Sequence, residues 1–339
     1  MLNHWLLLSD GAAPTEDIYF FRPAAADLKV QRVQTGFWRS PTIARMLGRL
    51  GPQSDTALLI CRTLPAPWID WVAAHRSRFR RVVYLIDDDL PAAAADNQLP
   101  AAYRQRMGAA AAHQPRLLAI ADEVVASSPG LARQFADRHP RVRVLTPPLI
   151  QPLPSLTHFH ERSWTIGFHG TRAHLPDLQH ITPALTGLHD ADPDVHIEVM
   201  LGRHTPADLV ARPRVQSLPP KPWPDFLRWQ REHRIHIGVV PLLDTPFNRG
   251  KSFIKFHDIA VLGGVGVYSR RPPYTEIVRH GENGLLAGDD PAEWQACIEG
   301  LLSDPEAAQA MAAQAAADAR RVGDFGPAMD LWKERETQA

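Results

Sequence analysis

Short apolar runs recur along the 339-residue chain, and most are followed by a longer stretch with amphipathic, helical character. That alternation constrains the fold more than any other feature, because it is the pattern of βαβ units closing a parallel sheet between helices. In the first half the runs at 5–8, 28–33, 57–61, 82–86, 123–126 and 142–145 are predicted strands. The stretches 41–50, 101–119 and 131–138 are predicted helices, the second interrupted at Pro115 and the third opened by Ser128 and Pro129. Pro147, Pro148, Pro152 and Pro154 then break the pattern, and a proline-rich stretch without periodicity reads as a linker.

The rhythm restarts beyond it. Strands are predicted at 164–168, 196–201, 215–218, 235–240, 264–268 and 285–287. Helices are predicted at 225–233, 252–262, 273–279, 291–302 and 305–321, with a final one near 326–333. The expectation is an α/β protein of two Rossmann-like, doubly wound domains facing a cleft. Residues 1–150 form the first and 155–322 the second; 323–339 is a C-terminal helix that packs back on the first. Length agrees, at roughly 100–200 residues per domain. In such sheets ligands bind beyond the carboxyl ends of the strands, so residues just after strands are the candidates for chemistry.

Charge narrows the partners. Lys plus Arg and Asp plus Glu both number 37, a formal net charge of zero, which argues against a nucleic-acid partner. Cys61 and Cys297 lie far apart in apolar stretches and read as buried free thiols of a reducing compartment rather than a zinc site. The apolar run after Met1 lacks a basic leader and is too short to span a membrane. A cytoplasmic protein is expected, with any membrane association peripheral and through a partner.

Three constellations follow predicted strands. The segment 241–258 joins a strand to a helix and carries Asn248, Lys251, Ser252, Lys255 and Asp258. Helix N-termini offer unsatisfied N–H groups and partial positive charge, so with two lysines the segment suits a diphosphate. His169, Gly170, Thr171 and Arg172 follow the first strand of the second half. Asp87, Asp88 and Asp89 follow the fourth strand of the first half; like charges packed together raise one another's pKa, which poises one as a base. The bland alternatives are a capped helix with surface lysines, a structural histidine and a solvated acidic loop. Trp223, Trp229 and Trp294 read as core residues; Trp68 and Trp71 follow the third strand and are not taken as site residues, although aromatic faces stack well on sugars.

Further on come Gly263, the run 265–269, Tyr274, Glu276 and the turn Gly281-Glu282-Asn283-Gly284-Leu285-Leu286, then Trp294. From Pro241 through Asp258 to Trp294 this order resembles the carboxyl-terminal domain of GT-B glycosyltransferases, especially the large retaining group of bacterial polysaccharide and lipopolysaccharide transferases. The run 121–132 is similar to the same family's first domain, more loosely. The resemblance implies glycosyl transfer from a nucleotide-sugar donor to a glycan or lipid-linked glycan in envelope polysaccharide biosynthesis, with retention and without a metal or other cofactor. It implies donor binding by His169, Gly170, Thr171, Arg172, Asn248, Lys251, Ser252, Lys255, Tyr274 and Glu276, and catalytic roles for Asp87, Asp88 and Asp258. The chain departs from the family in three places. Gly250 stands where the first of two glutamates is usual, the loop after residue 168 has Arg172 but no lysine, and Asp87 stands where a histidine is usual. The missing glutamate keeps open a non-catalytic GT-B-like subunit, and Asp87 in the histidine's place keeps open an inverting route in which it deprotonates the acceptor; a nucleotide-sugar epimerase of the same fold is the further alternative.

Overall fold

A computed structural model of the chain describes residues 4–24, 27–35 and 55–333. It contains two parallel six-stranded sheets. The first holds β1 (His4–Ser9), β2 (Lys29–Gln34), β3 (Thr56–Cys61), β4 (Arg81–Ile86), β5 (Glu123–Ala126) and β6 (Val142–Val144) in the order β2-β1-β3-β4-β5-β6. The second holds β7 (Trp164–Phe168), β8 (Val195–Val199), β9 (Val215–Ser217), β10 (Ile237–Val240), β11 (Val265–Ser269) and β12 (Leu285–Ala287), ordered β12-β11-β10-β7-β8-β9. Every strand falls on a predicted apolar run.

Contacts divide the chain into two compact units. One comprises Met1–Ile150, Arg249–Ser252 and Asp324–Ala339; the other comprises Gln151–Asn248 and Phe253–Gly323. Both sheets are two-sided, and their central strands show it: all six residues of β4 and all four of β5 and β10 are buried. Continuous rather than alternating burial is what helices on both faces of a parallel sheet require.

Helix boundaries differ from the sequence reading where proline and capping decide them. The 101–119 pattern splits into Ala101–Ala111 and Gln114–Ile120, with Pro115 in the first turn of the second helix, where its missing N–H costs nothing. The helix expected from Ser252 starts at Ile254, after a short turn of helix at Pro246–Arg249, so Lys251 and Ser252 lie in the loop before it. The helix Leu175–Ala191 has no counterpart in the sequence reading: Pro183 lies inside it and masks its period. The predicted helix at 41–50 lies outside the described residues. No described helix is long and apolar enough to cross a membrane.

The helix Gly326–Lys333 belongs to the first unit, where Trp332 is fully buried. Its ring meets Trp5 edge-on at 5.5 Å and Phe20 at 5.1 Å, and its Nε1 donates to the Tyr19 carbonyl at 2.8 Å. Arg81 Nη1 donates to the Leu331 carbonyl at 2.9 Å, while its charge is matched by buried Glu123. The chain's last helix therefore completes the core begun by its first strand. Trp332→Ala should cost about 3–5 kcal/mol of stability, the usual cost of deleting a buried tryptophan. Urea unfolding checks this, and a loss below about 1 kcal/mol would contradict the packing described.

Candidate functional site

The strand orders fix where each sheet can receive a ligand. In the second sheet β7 lies between β10 and β8, so chain direction across the sheet reverses between β7 and β10. In the first sheet the reversal falls between β1 and β3. A parallel sheet binds ligands outside the carboxyl ends of the strands at such a reversal, because the loops there diverge and leave a crevice.

At the β1/β3 reversal the first unit gathers a charged cluster. Asp10 follows β1, Arg62 follows β3, and Asp87 and Asp88 follow β4. Arg62 Nε lies 3.6 Å from Asp87 Oδ1, and Arg62 Nη2 lies 3.8 Å from Asp88 Oδ2. Thr15 donates its hydroxyl to Asp87 Oδ2, and Lys251 Nζ donates to Asp88 Oδ1 at 2.7 Å. Asp89 takes no part: its Oδ1 accepts the Ala92 N–H at 2.9 Å and caps the helix Leu90–Ala95. The expected carboxylate trio is therefore a pair and a cap.

Arg62 adopts a left-handed backbone, φ +62°, which costs a non-glycine residue energy and marks a place where the surroundings dictate conformation. Its N–H donates to the Leu85 carbonyl at 2.8 Å, and its carbonyl accepts the Tyr84 hydroxyl at 2.7 Å. Burial pushes the Asp87 carboxyl up, opposed by Arg62 and aided by Asp88. Asp10 is also pushed up by burial against the pull of Arg62. Asp87, more strongly than burial opposes it, holds Arg62 protonated.

Lys251 and Ser252 belong to this cluster in the first unit, which corrects their assignment to the 155–322 domain. The Tyr19 hydroxyl donates to Ser252 Oγ at 3.2 Å, and Ser128 Oγ donates to the Gly250 carbonyl at 2.8 Å. Gly130 makes the approach possible: a Cβ there would sit 2.2 Å from the Arg249 carbonyl oxygen.

The β7/β10 reversal of the second unit carries the loop 169–174 and the segment 241–248. Thr171 and Arg172 are exposed. A Cβ at Gly170 would meet the buried Phe168 ring at 2.7 Å, so glycine lets that ring lie against the loop. The His169 ring, in contrast, is only 4% exposed and hydrogen-bonds Glu198 Oε1 through Nε2 at 2.7 Å, so it braces the loop from inside. Asn248 is buried as well. Its amide nitrogen donates to Asp177 Oδ1 and to the Leu243 carbonyl, both at 3.0 Å, which commits the group expected to reach a donor.

Lys255 and Asp258 form an ion pair at 2.8 Å, and Gln230 Nε2 donates to the other Asp258 oxygen at 2.9 Å. Glu276 is exposed. Tyr274 is buried with its ring 4.8 Å from Tyr268, so its side chain serves the core. Trp294 is a core residue as expected, whereas Trp223 and Trp229 are half-buried members of a stacked row with Phe226. Trp68 is fully buried. Among the described residues no group of three or more His, Cys, Asp or Glu side chains is arranged to hold a metal ion.

No family model matches the sequence, and no curated protein does. Solved structures do match the fold. Anabaena Alr3699/HepE, crystallised with UDP and glucose, superposes with a TM-score of 0.64 at 16% identity, over 97% of each chain. Sucrose-phosphate synthase from Thermosynechococcus elongatus gives 0.67 at 13% identity, over 98% of each chain. An α,α-trehalose-phosphate synthase (UDP-forming) from Burkholderia vietnamiensis gives 0.54 at 14%, over 86% of this chain and 73% of its own. These proteins share one architecture, two Rossmann-like domains. The fold is GT-B.

Within this GT-B chain the turn Gly281–Leu286 proves structural. Asn283 is fully buried; its Oδ1 accepts the Arg279 N–H at 2.7 Å, and its nitrogen donates to the Ile277 carbonyl and to Asp318 Oδ2 at 3.1 and 2.9 Å. Asp318 also accepts from Arg279 and Arg321 at 2.8 and 3.0 Å. The motif locks the turn before β12 to the helix Pro305–Val322.

Sequence reasoning missed Asp10, Thr15, Arg62, Asp177, Glu198 and His233. The strand-end rule could have found Asp10 and Arg62. Glu198, an acid inside an apolar strand, carried its own signal.

Three buried histidines of the second unit make its stability pH-dependent. Burial lowers His158, His169 and His236 below the ordinary histidine value. His236 Nδ1 accepts the Thr165 N–H at 3.1 Å, a bond that protonation would break. Burial would raise Glu198, but hydrogen bonds from His169 and His233 outweigh it and bring it down to about 2. All four shifts mean that the folded state binds fewer protons than the unfolded state. The stability they supply is complete above about pH 6.5 and is lost as pH falls, the Glu198 share below about 4.5. Urea titrations from pH 7 to pH 4 that follow the second unit's own unfolding should show its stability falling throughout; a flat profile for that unit, or one that rises as pH falls, would refute neutral imidazoles.

Proposed function

We propose that this protein transfers a glycosyl group from a nucleoside-diphosphate sugar. The observation that carries the reading is the charged cluster of Asp10, Arg62, Asp87, Asp88 and Lys251 at the strand-end reversal of one GT-B domain. A structural scaffold gains little from burying such charges, whereas chemistry needs them.

In this reading the second unit holds the donor at the carboxyl ends of β7 and β10. Gly170, Thr171 and Arg172 meet the diphosphate, Lys255 adds positive charge near the start of its helix, and Glu276 takes donor hydroxyls. Positive charge and backbone donors stabilise the departing diphosphate, the largest electrostatic contribution available. The proposal draws support from HepE, whose crystals hold UDP and glucose.

The first unit takes the acceptor. Asp87, whose carboxyl is raised by burial, accepts the proton of the attacking hydroxyl, and Arg62 keeps it ionised beside Asp88. Lys251 neutralises Asp88 and fixes its orientation. The finer reading is a UDP-sugar donor, an envelope-type glycan acceptor and action in the cytoplasm; Asp87 as the base for the attacking hydroxyl fits direct displacement with inversion, whereas the sequence resemblance favours retention. The choice of UDP draws on the HepE crystals, the acceptor class and retention on the sequence resemblance, and the compartment on cysteine usage; NMR of the product's anomeric proton decides the stereochemistry.

The test is turnover of UDP-sugars with Asp87→Asn. We expect kcat to fall by about 100-fold or more, the scale of losing a positioned general base, with UDP affinity unchanged by calorimetry. Full activity in this variant would remove Asp87 from the chemistry.

A further inference from the structure

The loop from His169 to His174 begins and ends with a histidine, and each ring is tied to a buried carboxylate. At the first end His169 Nε2 hydrogen-bonds Glu198 Oε1 at 2.7 Å. Glu198 is 2% exposed within β8, and its second oxygen lies 2.9 Å from His233 Nε2. Trp229 closes this end, edge-on to His169 at 5.0 Å and stacked on His233 at 4.4 Å. At the other end His174 Nδ1 hydrogen-bonds Asp177 Oδ2 at 2.8 Å. Asp177 is also 2% exposed, and its Oδ1 accepts from the Leu243 N–H at 2.8 Å and from Asn248 at 3.0 Å. One carboxylate thus joins the loop after β7 to the segment after β10, the two pieces of chain that flank the reversal.

We propose that Glu198 and Asp177 are positioning residues: a histidine–carboxylate clamp at each end of the 169–174 loop preorganises it to receive the diphosphate of a nucleotide. The proposal rests on the glycosyl-transfer reading for its ligand, but the clamp itself is geometry. A buried carboxylate is a poor way to gain stability, because apolar packing of equal volume does as well or better. It is a good way to fix a backbone in one place, since its hydrogen bonds are directional and short. What the clamp leaves outside is the part suited to an anion: Thr171 and Arg172 are exposed while the His169 ring beneath them is buried. Holding that backbone in advance removes the ordering cost from binding. Neither carboxylate touches the ligand, so both act through the loop.

Two readouts decide the matter on the near-isosteric variants Glu198→Gln and Asp177→Asn, and on Asp177→Glu as a conservative control. Hydrogen exchange should show the amides of residues 170–173 accelerated in both variants while β7, β8 and β10 keep their protection. Calorimetry with UDP, and with GDP and ADP as further probes, should show affinity for the bound diphosphate reduced about tenfold, the scale of one lost charge-assisted hydrogen bond. In an Arg172→Ala background the same substitutions should cost much less, because the loop's cationic contact is already gone. Asp177→Glu should recover part of the affinity. Unchanged exchange at 170–173, or full additivity with Arg172→Ala, overturns the clamp. A wild-type protein that binds none of the three diphosphates overturns the glycosyl-transfer reading, and the exchange measurement then decides the clamp alone.

Discussion

A parallel sheet covered on both faces leaves its chemistry only one place to go. Strands β4, β5 and β10 are buried residue by residue, so no polar side chain in them can reach a ligand from the middle of the strand. Reactive groups must therefore follow the strands' carboxyl ends, and strand order selects which ends lie beside a crevice. In the first sheet that rule gathers Asp10, Arg62 and the Asp87–Asp88 pair; in the second it gathers the 169–174 loop and the segment after β10.

The two units answer the cost of buried charge differently. The first sets carboxylates against Arg62 and Lys251, which keeps charge in place and leaves Asp87 raised by burial. The second sets them against histidines, giving hydrogen bonds that need no second full charge: Glu198 stays ionised while burial keeps His169 neutral. The first arrangement suits proton transfer. The second suits holding a loop still.

The motif with the clearest family likeness, Gly281–Leu286, turned out to brace a turn through buried Asn283 and Asp318. Likeness of sequence there reports the demands of packing: an amide satisfied on both sides at zero exposure tolerates little else. Residues closer to the chemistry were less legible. Asn248 and Tyr274 have the right chemical types for ligand contact, yet Asp177 and Tyr268 claim their side chains. Sequence shows which groups a segment carries and leaves open which of them are already engaged.

The strands, the two-part rhythm and the break near residue 150 follow from the sequence alone, because apolar runs of four to six residues bury on a sheet whatever their partners. The strand-end rule likewise placed Asp87, Asp88 and the Gly170 loop from local order. Only the tertiary structure decided that Lys251 and Ser252 join the first unit, that Arg62 meets Asp87 and Asp88, and that Trp332 completes the core around Trp5. The reason is distance along the chain. Lys251 and Asp88 are 163 positions apart, and Trp332 and Tyr19 are 313 apart. Periodicity reads neighbours on one element; pairings of that span exist only once the chain has folded.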